Sequence, residues 1–263
     1  MTDRGRELAR VRNPVLLISM GAWILLLAKP GTLTHCPVVV SGAVLSRASL
    51  QMLISMNPVG SLAMGWALML VAMMSPVLIP PIRHVWLQSF RNRRVRSIGL
   101  FVAGYAVIWL AVSALLLTVE LSAALFARQS CLPIAGGLTA LLWQFSPIKQ
   151  HCLNRGHVHT ALAAFGPAAD RDALRFGVTH GIWCVGTCWA LMIFPMLLPG
   201  GQLAAMAAVS FLIFSERLDQ PVWPRWSWRL SGKLVRIFVA QTRIRLNSLP
   251  FASGRLSSNG FTP

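Results

Sequence analysis

The sequence predicts an all-α fold, a polytopic membrane helical bundle of about six transmembrane helices with a C-terminal amphipathic interfacial helix. Composition supports this prediction, because 55% of the residues are hydrophobic and only 12% are charged, about half the charged share of a soluble domain. Several uncharged runs also approach the roughly 20 residues that a helix needs to cross a bilayer. We therefore divide the chain into a transmembrane domain, 1–220, and a basic amphipathic helix with a flexible tail, 221–263.

The first half of the chain predicts three spans. An apolar run at 11–28 follows a basic leader and is interpreted as a retained helix, because the residues after it make a poor signal-peptide cleavage site. Residues 30–58 are predicted not to span the membrane. The second span is predicted at 59–80, where Pro76 removes a helical hydrogen bond, and the third at 98–119.

The second half predicts three more spans. The fourth lies within 121–145, and the fifth is Phe176–Leu198, which carries no formal charge. The sixth is predicted at 202–218, after a polar loop at 146–175. Farther along, basic and apolar residues separate onto two faces of a predicted helix at 229–243, a pattern that favours contact with the anionic headgroups of membrane lipids.

Basic residues orient this predicted bundle. With six spans, all of the 24 Lys and Arg residues fall on one side except Lys29, Arg47 and Arg128. The positive-inside rule then predicts a multi-pass protein of the bacterial inner membrane with both termini in the cytoplasm. The net charge of +17 is thereby assigned to orientation and lipid attraction. No aromatic and basic nucleic-acid-binding module accompanies it, so nucleic acid is not a predicted partner.

The fifth span carries a ladder of groups that can bind a soft metal ion. A nitrogen or sulfur donor recurs at every fourth residue, namely at His180, Cys184, Cys188, Met192 and Met196. Residues four apart share one slowly drifting face of a helix. Imidazole, thiol and thioether groups suit copper(I) and, as a second choice, zinc. Packing is the alternative for each sulfur, because Cys and Met are common buried residues, whereas a histidine within a span is typically functional.

Two further sets of donors extend this hypothesis. Met69 and Met73 lie one turn apart in the second span and could continue a thioether path. The loop before the fifth span holds a cluster that could receive or release the ion on the cytoplasmic side, or could merely be polar and exposed: His151, Cys152, His157 and His159. His84 is predicted at the same level of the membrane. The seven acidic residues form no cluster suited to magnesium or calcium.

Four motifs in the middle of the chain carry a resemblance to a known family. They are AMMSP at 72–76, QFSPIKQHCL at 144–153, THGIWCVGTCWALM at 179–192 and SERL at 215–218. In order and spacing the stretch 59–218 resembles the DUF2182 family. The resemblance implies a metal-binding integral membrane protein, in some members a copper chaperone. That family usually has a cysteine where this chain has Thr187, which weakens the transfer of a two-cysteine site to that position.

The predicted function is therefore binding or transfer of a soft metal ion within a membrane, with copper favoured over zinc. The chain has no hydrolase triad, phosphate loop or paired catalytic carboxylates, so an enzyme is not favoured. The alternative is a structural or assembly partner of a membrane protein complex that binds no metal and docks through its tail.

Two cysteines are predicted on the outer side of the membrane, Cys36 and Cys131. That side is oxidising in a bacterial envelope, so one alternative is a disulfide between them. The others are metal capture by Cys36 with His35, and simple packing of Cys131 at the start of a helix.

Overall fold

The computed structural model describes residues 3–28, 59–126, 132–198 and 200–226, and this part of the chain is helical and contains no strand. The all-α prediction is thus confirmed. The predicted non-spanning stretch at 30–58, the predicted amphipathic helix at 229–243, and Cys36 and Cys131 lie outside the described residues.

Eight α-helices make up the described bundle. In chain order they are α1 (Asp3–Ala28), α2 (Val59–Met74), α3 (Ile79–Gln88), α4 (Arg94–Phe126), α5 (Leu132–Phe145), α6 (Pro147–Gly156), α7 (Gly166–Met196) and α8 (Gln202–Arg217). A short 3-10 turn, Pro76–Leu78, joins α2 to α3. Directly before α8, Gly201 has a φ of 72°, a backbone conformation that glycine adopts readily.

Three to four of the described helices are candidate membrane spans, so the prediction of six was too definite. Helices α1, α4 and α7 are long and apolar enough to cross a membrane, and α2 with α3 is a fourth candidate bent by 49°. Helices α5 and α8 stand where spans were predicted, but they have 14 and 16 residues. They are therefore roughly 21 and 24 Å long, shorter than a hydrocarbon core of about 30 Å.

Several predicted boundaries differ from the structure. The helical path of the second span does not end at residue 80 but bends at Pro76 and continues to Gln88. Helix α4 runs past the predicted end at 119 to Phe126. The predicted loop at 146–175 contains α6, which begins at a favourable start signal: Ser146 accepts a hydrogen bond from the Lys149 backbone N–H at 3.1 Å, and Pro147 follows.

The close pairing of α4 with α7 forms the centre of the bundle. A Cβ on Gly177 would overlap the Phe101 carbonyl oxygen, and one on Gly104 would lie 2.6 Å from the Leu174 carbonyl oxygen. The two backbones therefore touch at glycine, as in many helix pairs within membranes. Helix α1 packs on α2, while α5, α6 and α8 pack around α7. This arrangement buries one face of α7 along most of its length.

Candidate metal centre

Cys184 and Cys188 lie one turn apart on α7, on the face that packs towards the bundle interior, and both side chains are fully buried. Both are free thiols. The Cys188 thiol donates to the Cys184 carbonyl oxygen at 2.9 Å, and the two side chains also interact with each other. From α4, the Tyr105 hydroxyl lies 3.4 Å from the Cys184 Sγ. These are weak partners for sulfur, so a metal ion that prefers thiolate could replace them.

Tyr105 is a functional candidate that the sequence analysis did not single out. It is the one tyrosine of the chain, and it is buried at the α4–α7 contact. Its hydroxyl is a polar group in an apolar span, and that rarity is the sequence signal that could have identified it.

His180 lies one turn before Cys184 and is also buried. Its ring sits among aromatic rings, with centroids 6.0 Å from Phe101, 6.0 Å from Phe176 and 6.2 Å from Tyr105. Its Nε2 is buried and meets no hydrogen-bond partner in the described part of the chain. No group of three His, Cys, Asp or Glu side chains among the described residues is placed to hold one metal ion. The structure thus brings the two cysteines together and leaves His180 beside them as a separate nitrogen donor.

The predicted thioether donors are buried in the same core as the two cysteines. Met192 is fully buried on α7, and Met69 and Met73 are almost fully buried on α2. Met196, near the end of α7, is partly buried at the margin of this core. The core that holds the thiols therefore also contains soft sulfur of the thioether type.

Three imidazoles gather near Phe176, about ten residues into α7. The His159 ring lies 4.9 Å from the His84 ring, and its Nδ1 lies 2.9 Å from the His157 carbonyl oxygen. His84 donates through Nε2 to the Thr160 carbonyl oxygen at 2.8 Å, which leaves Nδ1 of that ring free to bind a metal. Phe176 lies beside this imidazole cluster, 6.2 Å from the His159 ring, and separates it from His180.

Partial burial favours the neutral, metal-binding form of two of these imidazoles. Desolvation lowers the pKa of His157, and the positive charges of Arg217 and His159 lower it further. Desolvation and the neighbouring His84 lower the pKa of His159 in the same way. Only the neutral imidazole binds a metal. These shifts keep His157 and His159 neutral, and so able to bind a metal, at more acidic pH.

The other two predicted donors of the 146–175 segment point elsewhere. On α6, His151 is exposed and meets the Trp183 ring edge-on at 6.0 Å. Cys152 is buried against α7, where a Cβ on Gly186 would lie 2.6 Å from its Sγ. The predicted four-residue cluster is therefore divided, with His157 and His159 near His84, and Cys152 in a packing contact.

A cleft of about 440 Å³ opens next to these imidazoles and reaches His180. Arg155, Asp172 and Arg175 contribute charged side chains to its lining, while Phe176 and Trp183 provide apolar walls. His180 is thus the candidate ligand that both lines the cleft and precedes the thiols on α7.

A buried ion pair joins α6 to α8, and the sequence analysis assigned it no role. Lys149 on α6 pairs with Glu216 on α8, with Nζ to Oε2 at 2.8 Å, and both side chains are almost fully buried. Gln144 hydrogen-bonds to both partners. Desolvation lowers the pKa of Lys149, and the Glu216 carboxylate opposes that shift. The pair fixes α6 and the end of α8 against α7.

Comparison with known proteins gives one match. A family model described as a copper chaperone, PpoB2, matches residues 63–241, well over half of the chain. No curated protein and no solved structure matches the chain significantly. The matched region, 63–241, includes Cys184, Cys188, the imidazole cluster and the Lys149–Glu216 pair.

Proposed function

The chain belongs to the PpoB2 copper chaperone family, and on that premise we propose that it is a membrane protein that binds copper(I) at Cys184 and Cys188 and passes it on. The observation that carries this proposal is the pair of buried free thiols one helical turn apart. Thiolates are soft ligands that suit copper(I) and zinc. The family match is compatible with the DUF2182 resemblance, and zinc is the second candidate ion.

Methionines of the same buried core are the proposed additional ligands. Met192 follows Cys188 by one turn, and Met69 and Met73 stand in the same buried core. Thioethers are neutral and soft, so they can hold copper(I) without adding charge to a buried centre. Two thiolates supported by thioethers can hold copper(I), so the proposed site does not require a third ligand from a His, Cys, Asp or Glu residue.

The imidazole cluster is the proposed exchange point with the aqueous phase. His84, His157 and His159 lie near Phe176 of α7, and the cleft beside them reaches His180. The His180 Nε2 is buried without a partner among the described residues, which suits a nitrogen that binds an ion in transit. Copper(I) would move from imidazole to imidazole and then to sulfur, each step exchanging one neutral or soft ligand for the next.

In this proposal the bundle is inserted in the bacterial inner membrane with its imidazole cluster on the cytoplasmic side. Helix α5 exposes apolar side chains on one face, including Ile134, Leu138, Leu141 and Leu142, as lipid-facing helices do. We place α5 and α8 in the membrane as short helices, which completes six crossings and puts both termini in the cytoplasm, where the basic segments belong.

Copper stoichiometry tests the proposed site. Purified wild-type protein should bind about one copper(I) per chain, and Cys184→Ser and Cys188→Ser should each lose it, because one thiolate cannot replace the pair. Cys152→Ser is the matched control, since Cys152 is also a buried free cysteine but packs on Gly186. Copper would be measured by elemental analysis after anaerobic loading. Retention of copper by both single variants would refute the cysteine site, as would an equal loss in the control.

The rate of loading tests the exchange point separately. In the double variant His157→Ala and His159→Ala, copper(I) should load at least tenfold more slowly while the final stoichiometry stays unchanged, because the imidazoles lie on the path and not at the endpoint. His151→Ala is the control, since that ring is exposed and faces Trp183. Stopped-flow transfer from a coloured copper(I) chelator measures the rate. An unchanged rate in the double variant would remove the imidazoles from the path.

A further inference from the structure

Arg217, the last residue of α8, carries a guanidinium that its protein surroundings leave partly unsatisfied. Its Nε and Nη2 atoms are buried and meet no hydrogen-bond acceptor in the described part of the chain. The neighbouring Glu216 carboxylate is held by Lys149 and Gln144. Buried N–H groups are nearly always paired, and an unpaired buried charge is costly. The Arg217 side chain as a whole is half-buried, so these two N–H groups are available to a negative charge formed beside them.

The Arg217 side chain lies within hydrogen-bonding reach of the Cys184 side chain. Its Nη1 rests on Gly156 at the end of α6, where a Cβ would overlap that nitrogen. Glycine at this position thus leaves room for the guanidinium next to the candidate site.

We propose that Arg217 makes the cysteine pair selective for a monovalent metal ion. Two thiolates and one copper(I) carry one negative charge together, which the guanidinium balances. Two thiolates and one zinc(II) are neutral, so the same guanidinium leaves a net positive charge in a buried site. This inference deepens the proposed function and rests on Cys184 and Cys188 as the ligands.

The selectivity does not depend on whether the thiols are protonated before binding. Whatever the starting state, the copper(I) and zinc(II) complexes of the same ligands differ by one unit of charge. Removing Arg217 therefore shifts the ratio of the two affinities by one charge–charge interaction. At a separation of about 6 Å and an effective dielectric constant of about 20, that interaction corresponds to a change on the order of 10- to 100-fold in the ratio.

The test measures the ratio of copper(I) to zinc(II) affinity in the purified full-length chain, by competition with chelators of known strength. Arg217→Gln should lower this ratio by about 10-fold or more, whereas Arg217→Lys, which keeps the charge, should stay within about threefold of wild type. Gly156→Ala keeps the arginine but displaces its guanidinium, so the ratio should fall there too. Arg171→Gln is the control, because it removes an exposed arginine of α7 that lies outside the cleft lining and should leave the ratio unchanged.

The outcomes separate this inference from the proposed function. If the wild type binds no copper(I), the proposed function fails. If the wild type binds copper(I) through its cysteines but Arg217→Gln has the wild-type ratio, only the role of Arg217 is overturned. Should Arg217→Gln fail to fold, Gly156→Ala decides, since an unchanged ratio in that variant overturns the inference. A loss of stability alone would weaken the binding of both metal ions alike and leave the ratio of their affinities unchanged.

Discussion

Replacing Gly177 by alanine should destabilise the bundle by about 3 kcal/mol or more and lower its midpoint of thermal unfolding in detergent by on the order of 10 °C. The added Cβ would overlap the carbonyl oxygen of Phe101. That oxygen belongs to the backbone of α4, so it can yield only if the two helices separate. Because the thiols of α7 and the Tyr105 hydroxyl of α4 meet across the same contact, copper(I) retention should fall as well.

Gly99→Ala is the matched control for that experiment. Gly99 lies on α4 too, but a Cβ there would meet no atom within 4 Å. Alanine should be neutral at this position, or stabilising by up to about 1 kcal/mol, since it favours helix. Circular dichroism during heating measures both variants. Equal midpoints for Gly177→Ala and wild type would show that the close contact between the helices does not stabilise the fold.

Replacing Lys149 by methionine should cost about 3 to 5 kcal/mol of folding free energy, because the Glu216 carboxylate would remain buried without its cation. The double variant Lys149→Met and Glu216→Leu should recover most of that loss, since it removes both charges and keeps the volume. Chemical unfolding in mixed micelles measures the three proteins.

Arg96→Met is the control for the ion pair. Arg96 binds Asp170 at 2.7 Å, but its side chain is 67% exposed. An exposed pair contributes about 0 to 1 kcal/mol, and Arg93 also binds Asp170. If Lys149→Met loses no more folding free energy than Arg96→Met, then burial does not make the Lys149–Glu216 pair important for stability. A double variant as unstable as the single one would point to lost packing instead of unpaired charge.

The sequence predicted the helix that carries the thiols but not how its donors divide. His180, Cys184 and Cys188 recur every four residues, so their shared helical face followed from periodicity alone. Each step of four residues also turns by about 40°, so His180 and Cys188 are about 80° apart. Which of them a neighbour contacts depends on α4, whose Phe101 and Tyr105 surround His180. Periodicity within one helix carries no information about that neighbour.

The burial of the Lys149–Glu216 pair could not be predicted from local sequence either. Lys149 lies in the predicted loop at 146–175, where solvated charge is expected, and Glu216 lies near the end of the predicted sixth span. Their burial depends on α6, which was predicted as part of a loop. Ser146 followed by Pro147 is a helix start signal and could have revealed α6. That α6 packs on α7 through Cys152 and Gly186 is a tertiary fact that no local signal contains.

The depth of the thiols along α7 has an electrical consequence. Cys184 and Cys188 follow Phe176, the start of the uncharged run, by roughly 12 and 18 Å along the axis. In the proposed arrangement they lie about halfway across a hydrocarbon core of about 30 Å. A monovalent ion moving from the cytoplasmic imidazoles to the thiols then crosses about half of the transmembrane voltage, or about 1 kcal/mol per 100 mV. A membrane potential that is negative inside would thus shift the equilibrium of copper(I) towards the imidazoles. Loss of that potential would shift it towards the thiols.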